Sequence, residues 1–394
     1  MADARQTLLA HHWFFQPRGG ERVLAELAAL LPKSLILTAF ATADVTGWPA
    51  EIARLKPGVR PSRLQPLFRL AEHVPALLPL LLPLLPWGMR RSFGRLLQQA
   101  DRLVISDAGL AKTLTLETPA ETFCYLHSPM RHIWHEQEQT LARLPGPLRG
   151  LAADLLRQLC EVDRQAAAQV SHWAVNSETT ATRAAAVYGL PREHFRVIHP
   201  PVSLPAEPAA DEPRRGLLVV SGMEPYKNDQ LAVTTAKQLG LPLTVVGDGP
   251  LRATLQALAG PDCRFLGRVT DGVRDRLYRS HELLLFCGVE DFGIVPVEAM
   301  ARGCPVVALA AGGATETITA GETGVFFAEP TVDCLAAAID TARRSDWQPA
   351  VMLRRAEQFS QQRFRAEAGD WLAADRPANP TDKPELPEQS ARRS

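Results

Sequence analysis

From Gly216 onward the chain alternates short apolar runs with stretches whose apolar positions recur at helical spacing. The runs GLLVVSG (216–222), PLTVVGDG (242–249), CRFLGRV (263–269), ELLLFCG (282–288), CPVVALA (304–310) and TGVFF (323–327) read as buried strands. Between them, 228–239, 251–260, 271–280 and 295–302 read as helices, with a helical turn over 314–320. Gly240 followed by Pro242 marks one helix end, since glycine accepts a left-handed cap and proline cannot continue the helix. Strands that are apolar throughout, joined by helices of about ten residues, need cover on both faces. The pattern predicts βαβ units and a doubly wound parallel sheet.

The first half repeats this rhythm more loosely. Strands are expected over 7–13, 34–40, 102–106, 122–127, 172–177 and 195–200. Helices are expected over 21–31, closed by Pro32, and over 148–168. Another starts at Ser177, a suitable N-cap, and is closed by Gly189 and Pro191. PPVSLPAEPAADEPRRG (200–216) reads as a linker between two Rossmann-like halves. The predicted division is a domain over 1–200, a linker over 201–215 and a second domain over 216–345. A C-terminal helix over 346–374, packing back toward the first domain, and a disordered tail over 375–394 complete it.

Composition narrows the classes. Among 394 residues, 46% are hydrophobic and 22% charged, which excludes a wholly disordered chain and a multi-span membrane protein. Lys plus Arg and Asp plus Glu are both 43, so the basic excess of a nucleic-acid-binding surface is missing. The cysteines (124, 160, 263, 287, 304, 334) form no C-x-x-C pair, which argues against metal ligation and a disulfide framework and for a reducing compartment. The N-terminus has no signal-peptide pattern. The most apolar stretch, 74–87, is about one-half to two-thirds of a bilayer-spanning length. It is broken by Pro75, Pro79, Pro83 and Pro86 and followed by Arg90 and Arg91, so it reads as a buried segment or an interfacial one.

Open parallel sheets bind ligands beyond the carboxyl ends of their strands, where loops enter helix N-termini. Four such places carry candidate chemistry. In EDFGIVPVE, Glu290 and Glu298 flank a glycine loop that opens a helix, and the amides of Phe292, Gly293 and Ile294 suit an anion. Glu298 suits a vicinal diol such as ribose, although both glutamates equally suit a helix N-terminus as simple dipole-stabilising charges. In SGMEPYK, Lys227 sits where an ammonium would face a phosphate; the alternative is a solvated lysine in a first helical turn. The turn Gly247-Asp-Gly-Pro250 is common in βαβ units. In the first half, Gly19 and Gly20 permit close backbone approach to a ligand, and His127 ends an apolar strand, as a structural or a catalytic histidine.

Together these segments resemble retaining glycosyltransferase family 4, which has the GT-B fold: two facing Rossmann-like α/β domains with an interdomain cleft. The resemblance spans about 7–345, with EDFGIVPVEAMARGCPVVA (290–308) as its strongest piece. PYK (225–227), VVGDGP (245–250), RFLGRV (264–269) and GGATETI (312–318) support it. HHWFFQPRGGERVL, RLVIS, CYLHSPMRHIW, NSETTATR and VIHPPV match a bacterial subgroup that includes mannosyltransferases of O-antigen and exopolysaccharide assembly.

The resemblance implies that Glu298 binds the nucleotide ribose. Glu290 and the amides of Phe292, Gly293 and Ile294 would hold the donor sugar and its distal phosphate. Lys227 would contact the diphosphate, the backbone of Arg268 and Val269 the base, and Gly19 and Gly20 the phosphates from the other domain. His127 would stand near the reacting sugar, so the implied catalytic set is His127, Lys227 and Glu290. No Asp-x-Asp occurs, and transfer without a metal or other cofactor is implied, with Lys227 and helix dipoles offsetting leaving-group charge.

The donor would be a nucleotide sugar, GDP-mannose in preference to a UDP-sugar, and the acceptor a saccharide or polyprenyl-linked saccharide. The implied location is cytoplasmic, at the inner face of the inner membrane as a peripheral protein. One departure stands out: many members carry arginine five positions before the lysine, and here that position is Gly222. A sugar-nucleotide epimerase of the same fold and a non-catalytic nucleotide-sugar-binding subunit are the competing functions.

Overall fold

A computed structural model describes residues 6–42, 44–46, 48–67, 82–135, 137–142, 144, 146–205 and 213–374. The chain divides into two compact units, one reaching Ile198 and resuming at Arg365, the other His199–Phe364.

The first unit is built on seven parallel strands: β1 (Thr7–His11), β2 (Leu35–Thr38), β3 (Val59–Pro61), β4 (Arg102–Asp107), β5 (Glu121–Leu126), β6 (His172–Val175) and β7 (Phe195–Val197). Their order is β3-β2-β1-β4-β5-β6-β7, with Leu9 opposite Val104 and Ile105 opposite Cys124. Leu9, Val104 and Phe123 are fully buried, as are Leu103, Ile105 and Cys124 that alternate with them. Burial on both faces explains the unbroken apolar runs. The helix Glu178–Tyr188 starts where expected: Ser177 Oγ accepts from the Thr180 amide at 3.0 Å, and Gly189 closes it at φ 67°.

The second unit carries six parallel strands: β8 (Leu217–Val220), β9 (Leu243–Val246), β10 (Cys263–Gly267), β11 (Leu283–Phe286), β12 (Val306–Leu309) and β13 (Gly324–Phe327). The order β10-β9-β8-β11-β12-β13 is again doubly wound. Leu217, Val219, Leu285 and Val307 pack into one core layer, and Leu218, Leu284, Val306 and Ala308 into the other. In both sheets the winding direction reverses beside the first strand, between β1 and β4 and between β8 and β11. Those reversals open crevices at the strand ends.

Several expectations need correction. The edge strand β3 was not anticipated. The helix expected to begin at Glu21 begins at Gly19, with Arg18 as its N-cap. Residues 346–374 form two helices, Pro349–Glu357 and Gln361–Leu372, rather than one. The break has a backbone cause: Phe359 O accepts from the Val202 amide at 2.9 Å, and Val202 and Ser360 form a parallel bridge. Beyond the break, Trp371 packs edge-on against Phe123 at 5.5 Å, and Arg102 Nη1 donates to Leu372 O at 3.0 Å.

The proposed tail, residues 206–212 of the proposed linker and residues 74–81 of the apolar stretch lie outside the described residues. The end of that stretch enters the helix Leu84–Gln99, where Leu85 and Met89 are buried and Trp87 is 61% exposed. Among the described residues, no helix is long and apolar enough to cross a membrane and no cluster could hold a metal ion. All six cysteines are free.

Candidate functional site

In the second unit, the loops after β8 and β11 meet at the strand-order reversal. The chain leaves β8 through Ser221 and Gly222, and Met223 turns it at φ 49°. Ser221 Oγ accepts from the Met223 amide at 2.9 Å and donates to Asp229 Oδ2 at 2.6 Å. Asp229 is buried, and burial lifts its carboxyl to about 6. Lys227 ends the short 3-10 turn Pro225–Lys227, before Asn228 (φ 53°) and the helix Asp229–Leu239. It thus precedes the helix instead of lying in its first turn, and its ammonium is ion-paired with Glu290. Burial works to lower the pKa of Lys227, but Glu290, Tyr226 and Asp229 outweigh it and raise the value above that of a free lysine.

Glycines set the loop positions. A Cβ on Gly288 would lie 2.6 Å from Lys227 Cα, so only glycine lets the loop after β11 rest on the lysine turn. A Cβ on Gly313 would lie 2.3 Å from Phe292 Cα, and the Gly313 amide donates to Glu290 O at 2.9 Å. Glu290 is therefore held between two glycine contacts.

Gly293, at φ 87°, opens the helix Ile294–Met300, whose first amides have no intrahelical acceptor. The Phe292 side chain turns inward against His199 and Phe359, so only its backbone is offered to a ligand. Glu298, one turn into this helix, is buried: its Oε2 accepts from Tyr278 Oη at 3.0 Å and lies 3.4 Å from Arg274 Nε. Neither sequence-based alternative for Glu298 included this buried pairing. Arg268 and Val269 follow β10, two places from β8 in the sheet; Arg268 is exposed and Val269 packs beside the core. Gly222 is exposed, and a Cβ there would meet nothing nearer than Glu224 Cγ at 3.9 Å.

In the first unit, the ends of β1, β4 and β5 bring three imidazoles together. His11 ends β1, His12 follows it, and His127 follows β5. Ring centroids of His11 and His12 lie 4.2 Å apart, and both lie within 6.4 Å of His127. Gly20, in the first turn of the helix Gly19–Leu30, lies over them. A Cβ there would be 3.5 Å from His11 Cε1, 3.7 Å from His127 Nε2 and 3.8 Å from His12 Cε1.

A backbone partner assigns one of the protons. His11 Nδ1 lies 3.0 Å from Ser106 O, a carbonyl that can only accept, so Nδ1 bears hydrogen. His12 Nδ1 faces both the Ala108 amide at 3.2 Å and Ser106 O at 3.4 Å. Burial holds all three rings neutral, taking His12 down to about 4 and His127 to about 3, with His11 also well below the usual value. Glu21 caps the helix by accepting from the Arg18 amide at 3.1 Å, and burial lifts its carboxyl to about 7.

Beneath the histidines lies a buried ionic triad that the sequence did not reveal. Lys112 Nζ lies 2.9 Å from Asp107 Oδ2 and 2.8 Å from Asp163 Oδ1, and all three side chains are fully buried. Asp107 also accepts from the amides of Gly109 and Ala111 at 2.8 and 3.1 Å, while Trp134 Nε1 donates to Asp163 at 2.9 Å. Asp107 O receives the His127 amide at 2.7 Å, so the triad anchors the backbone that carries His127. The paired histidines His11 and His12 were visible in the sequence as HH at a strand end. Ser106, Asp229, Tyr278 and Arg274 gave no signal there.

Comparison with known proteins fits this architecture. Residues 203–359 match the family described as glycosyl transferases group 1. A D-inositol 3-phosphate glycosyltransferase of Mycobacteroides abscessus is 28% identical over 276 residues, covering 61% of this chain and 57% of that protein. A GDP-mannose-dependent alpha-(1-6)-phosphatidylinositol monomannoside mannosyltransferase of Mycobacterium tuberculosis is 34% identical over 145 residues, 32% of this chain and 37% of that one. The chain thus spans little more than half the length of the first of these relatives and about a third of the second. The structure of Anabaena Alr3699/HepE in complex with UDP and glucose superposes with a TM-score of 0.68 at 18% identity, covering 94% of this chain and all of that one. Residues 203–359 therefore carry the glycosyl transferases group 1 signature, on a chain of GT-B fold with two Rossmann-like domains.

Proposed function

We propose that the chain transfers a hexose, mannose before others, from a nucleotide-diphosphate sugar to a saccharide or lipid-linked saccharide. The anomeric configuration is retained, and the product enters cell-surface polysaccharide or lipopolysaccharide synthesis. The observation that carries this reading is the Lys227–Glu290 ion pair at the strand-order reversal, inside the segment that matches the transferase family. The GDP-mannose dependence of the mycobacterial relative supports GDP-mannose as the donor.

In this reading the diphosphate takes Lys227 from Glu290, and the released carboxylate accepts from hydroxyls of the donor sugar. The amides at Phe292, Gly293 and Ile294 receive the distal phosphate. Glu298 holds the ribose, Arg268 and Val269 border the base, Gly19 and Gly20 approach the phosphates, and His127 stands by the reacting sugar. Charge that grows on the leaving diphosphate is met by a preorganised ammonium, with no metal required.

Incubation of the purified protein with a panel of nucleotide sugars tests the proposal. Release of nucleoside diphosphate is expected, most rapidly from GDP-mannose. Interconversion of the sugar would make it an epimerase, and binding without turnover a non-catalytic subunit. A lipid-linked acceptor would bring the protein to the cytoplasmic membrane face, with the exposed Trp87 and the neighbouring Arg90 and Arg91 as the contact. Arg90→Glu with Arg91→Glu is then expected to reduce co-sedimentation with anionic liposomes.

A further inference from the structure

We propose that Ser106, oriented by His11, fixes His127 in the tautomer that carries its proton on Nδ1. Ser106 lies at the end of β4, fully buried, between the two rings. Its hydroxyl is 3.1 Å from His11 Nδ1 and 2.8 Å from His127 Nε2. His11 Nδ1 bears hydrogen because it donates to the Ser106 carbonyl. The same N–H is directed at Ser106 Oγ, which therefore accepts on that side. The hydroxyl has one hydrogen, and among the described residues the only acceptor left within its reach is His127 Nε2. The serine donates there, Nε2 accepts, and the ring proton of neutral His127 resides on Nδ1.

The consequence is directional. His127 is partly exposed, whereas Ser106 and His11 are sealed beneath it. The buried pair uses up the acceptor nitrogen of the ring and leaves it a hydrogen-bond donor on Nδ1. Such a ring presents an N–H to a substrate oxygen and cannot act as a base through that nitrogen. Ser106 and His11 are thus positioning residues for His127, and their bearing on turnover rests on the transferase reading given above.

Long-range proton–nitrogen NMR correlations of histidine-labelled full-length protein read the tautomer directly, with the His127 signals assigned by their loss in His127→Gln. In the wild-type protein Nδ1 is expected to show a proton-bearing shift and Nε2 an acceptor shift. Wild-type protein with the proton on Nε2 overturns the proposal, whatever the variants do. Ser106→Ala removes the donor and is expected to move the proton to Nε2 or mix the two forms, whereas Ser106→Thr keeps the hydroxyl and the Nδ1–H form. An alanine variant that folds with an unchanged tautomer, or a threonine variant that loses it, also overturns the proposal.

In the active enzyme, Ser106→Ala is expected to lower kcat by about tenfold to a hundredfold with donor affinity unchanged. Threonine is expected to restore it. Wild-type protein that shows the Nδ1–H form and yet turns over no nucleotide sugar upholds the tautomer assignment and defeats the transferase reading instead.

Discussion

The ammonium of Lys227 and the carboxylate of Glu290 neutralise one another across the loops after β8 and β11. In the transferase reading, a bound diphosphate would have to compete with Glu290 for that cation, and the pair would couple donor binding to release of the carboxylate. Charge builds on the diphosphate as the glycosidic bond breaks, and a fixed cation counts for more in the transition state than in the ground state. Lys227→Ala is expected to lower kcat by about 10²–10³, the usual cost of one preorganised electrostatic partner. Donor affinity is expected to fall by less. Steady-state kinetics beside calorimetric binding separate the two, and near-wild-type turnover would remove Lys227 from the chemistry.

The resemblance to glycosyltransferase family 4 implies a second cation at position 222, where this chain has glycine, and the surroundings of Gly222 leave room for one. A Cβ there meets only Glu224 Cγ, at 3.9 Å. Gly222→Arg is therefore expected to fold with little change in stability and to bind the nucleotide sugar several-fold more tightly, as added charge-assisted bonds to a phosphate should. Isothermal titration checks this, and weaker binding would mean that position 222 does not face the diphosphate.

Glu298 is expected to hold the ribose while Tyr278 and Arg274 hold Glu298. Glu298→Gln keeps an acceptor for Tyr278 but loses the charge, and hydrogen bonds to a charged group are worth about 1.5–3 kcal/mol. The donor dissociation constant should rise by roughly tenfold to a hundredfold, with an unaltered circular dichroism spectrum. Unchanged affinity would make Glu298 a purely structural partner of Arg274.

The triad of Lys112, Asp107 and Asp163 is sealed from water. Removing the shared cation strands two carboxylates, and breaking a buried pair in this way costs about 3–5 kcal/mol. Lys112→Met should lower the denaturant midpoint of the first unit accordingly. Adding Asp107→Asn and Asp163→Asn should recover part of the loss. A Lys112→Met protein as stable as wild type would contradict the paired-charge account.

Burial lifts the Glu21 carboxyl to about 7 in the folded chain, above the ordinary value of 4.5. The folded protein therefore retains a proton that the unfolded chain gives up across that window. The stability this group contributes is full below the lower value and is lost as pH rises through the upper one. Glu21→Gln stays neutral and keeps the acceptor that caps the helix. It should be more stable than wild type by about 3 kcal/mol near pH 8 and equal to it near pH 4. Urea titrations at the two pH values measure the difference.

Much of the second unit was legible in the sequence because its strands are buried on both faces and its helix ends carry glycine and proline. Lys227 and Glu290 each follow an apolar run in the sequence, while the adjacency of their two loops comes from the pairing of β8 with β11. What stayed hidden depends on long-range packing. β3 is three residues long, contains Pro61 and lies at a sheet edge, so it leaves no apolar run. Lys112 looks like an ordinary polar residue in AKTLTLE, and its partner Asp163 is far off in the chain, in the helix Gly146–Ala168. The break between the last two helices answers to Val202, which no local pattern in 346–374 could announce. His127 was visible, but the serine that orients it comes from the neighbouring strand.

The first unit resumes at Arg365, after the whole of the second. Arg365 is ion-paired with the buried Glu26, Trp371 lies against Phe123, and Arg102 reaches the carbonyl of Leu372. During synthesis, then, the earlier-made sheet must wait for the last helix to leave the ribosome, while the intervening unit already has every strand it needs. The nascent protein would exist for a time as a finished second unit tethered to an incomplete first one. A nonsense mutation just before Arg365 would freeze it in that condition, with the seat of Trp371 exposed to chaperones and proteases.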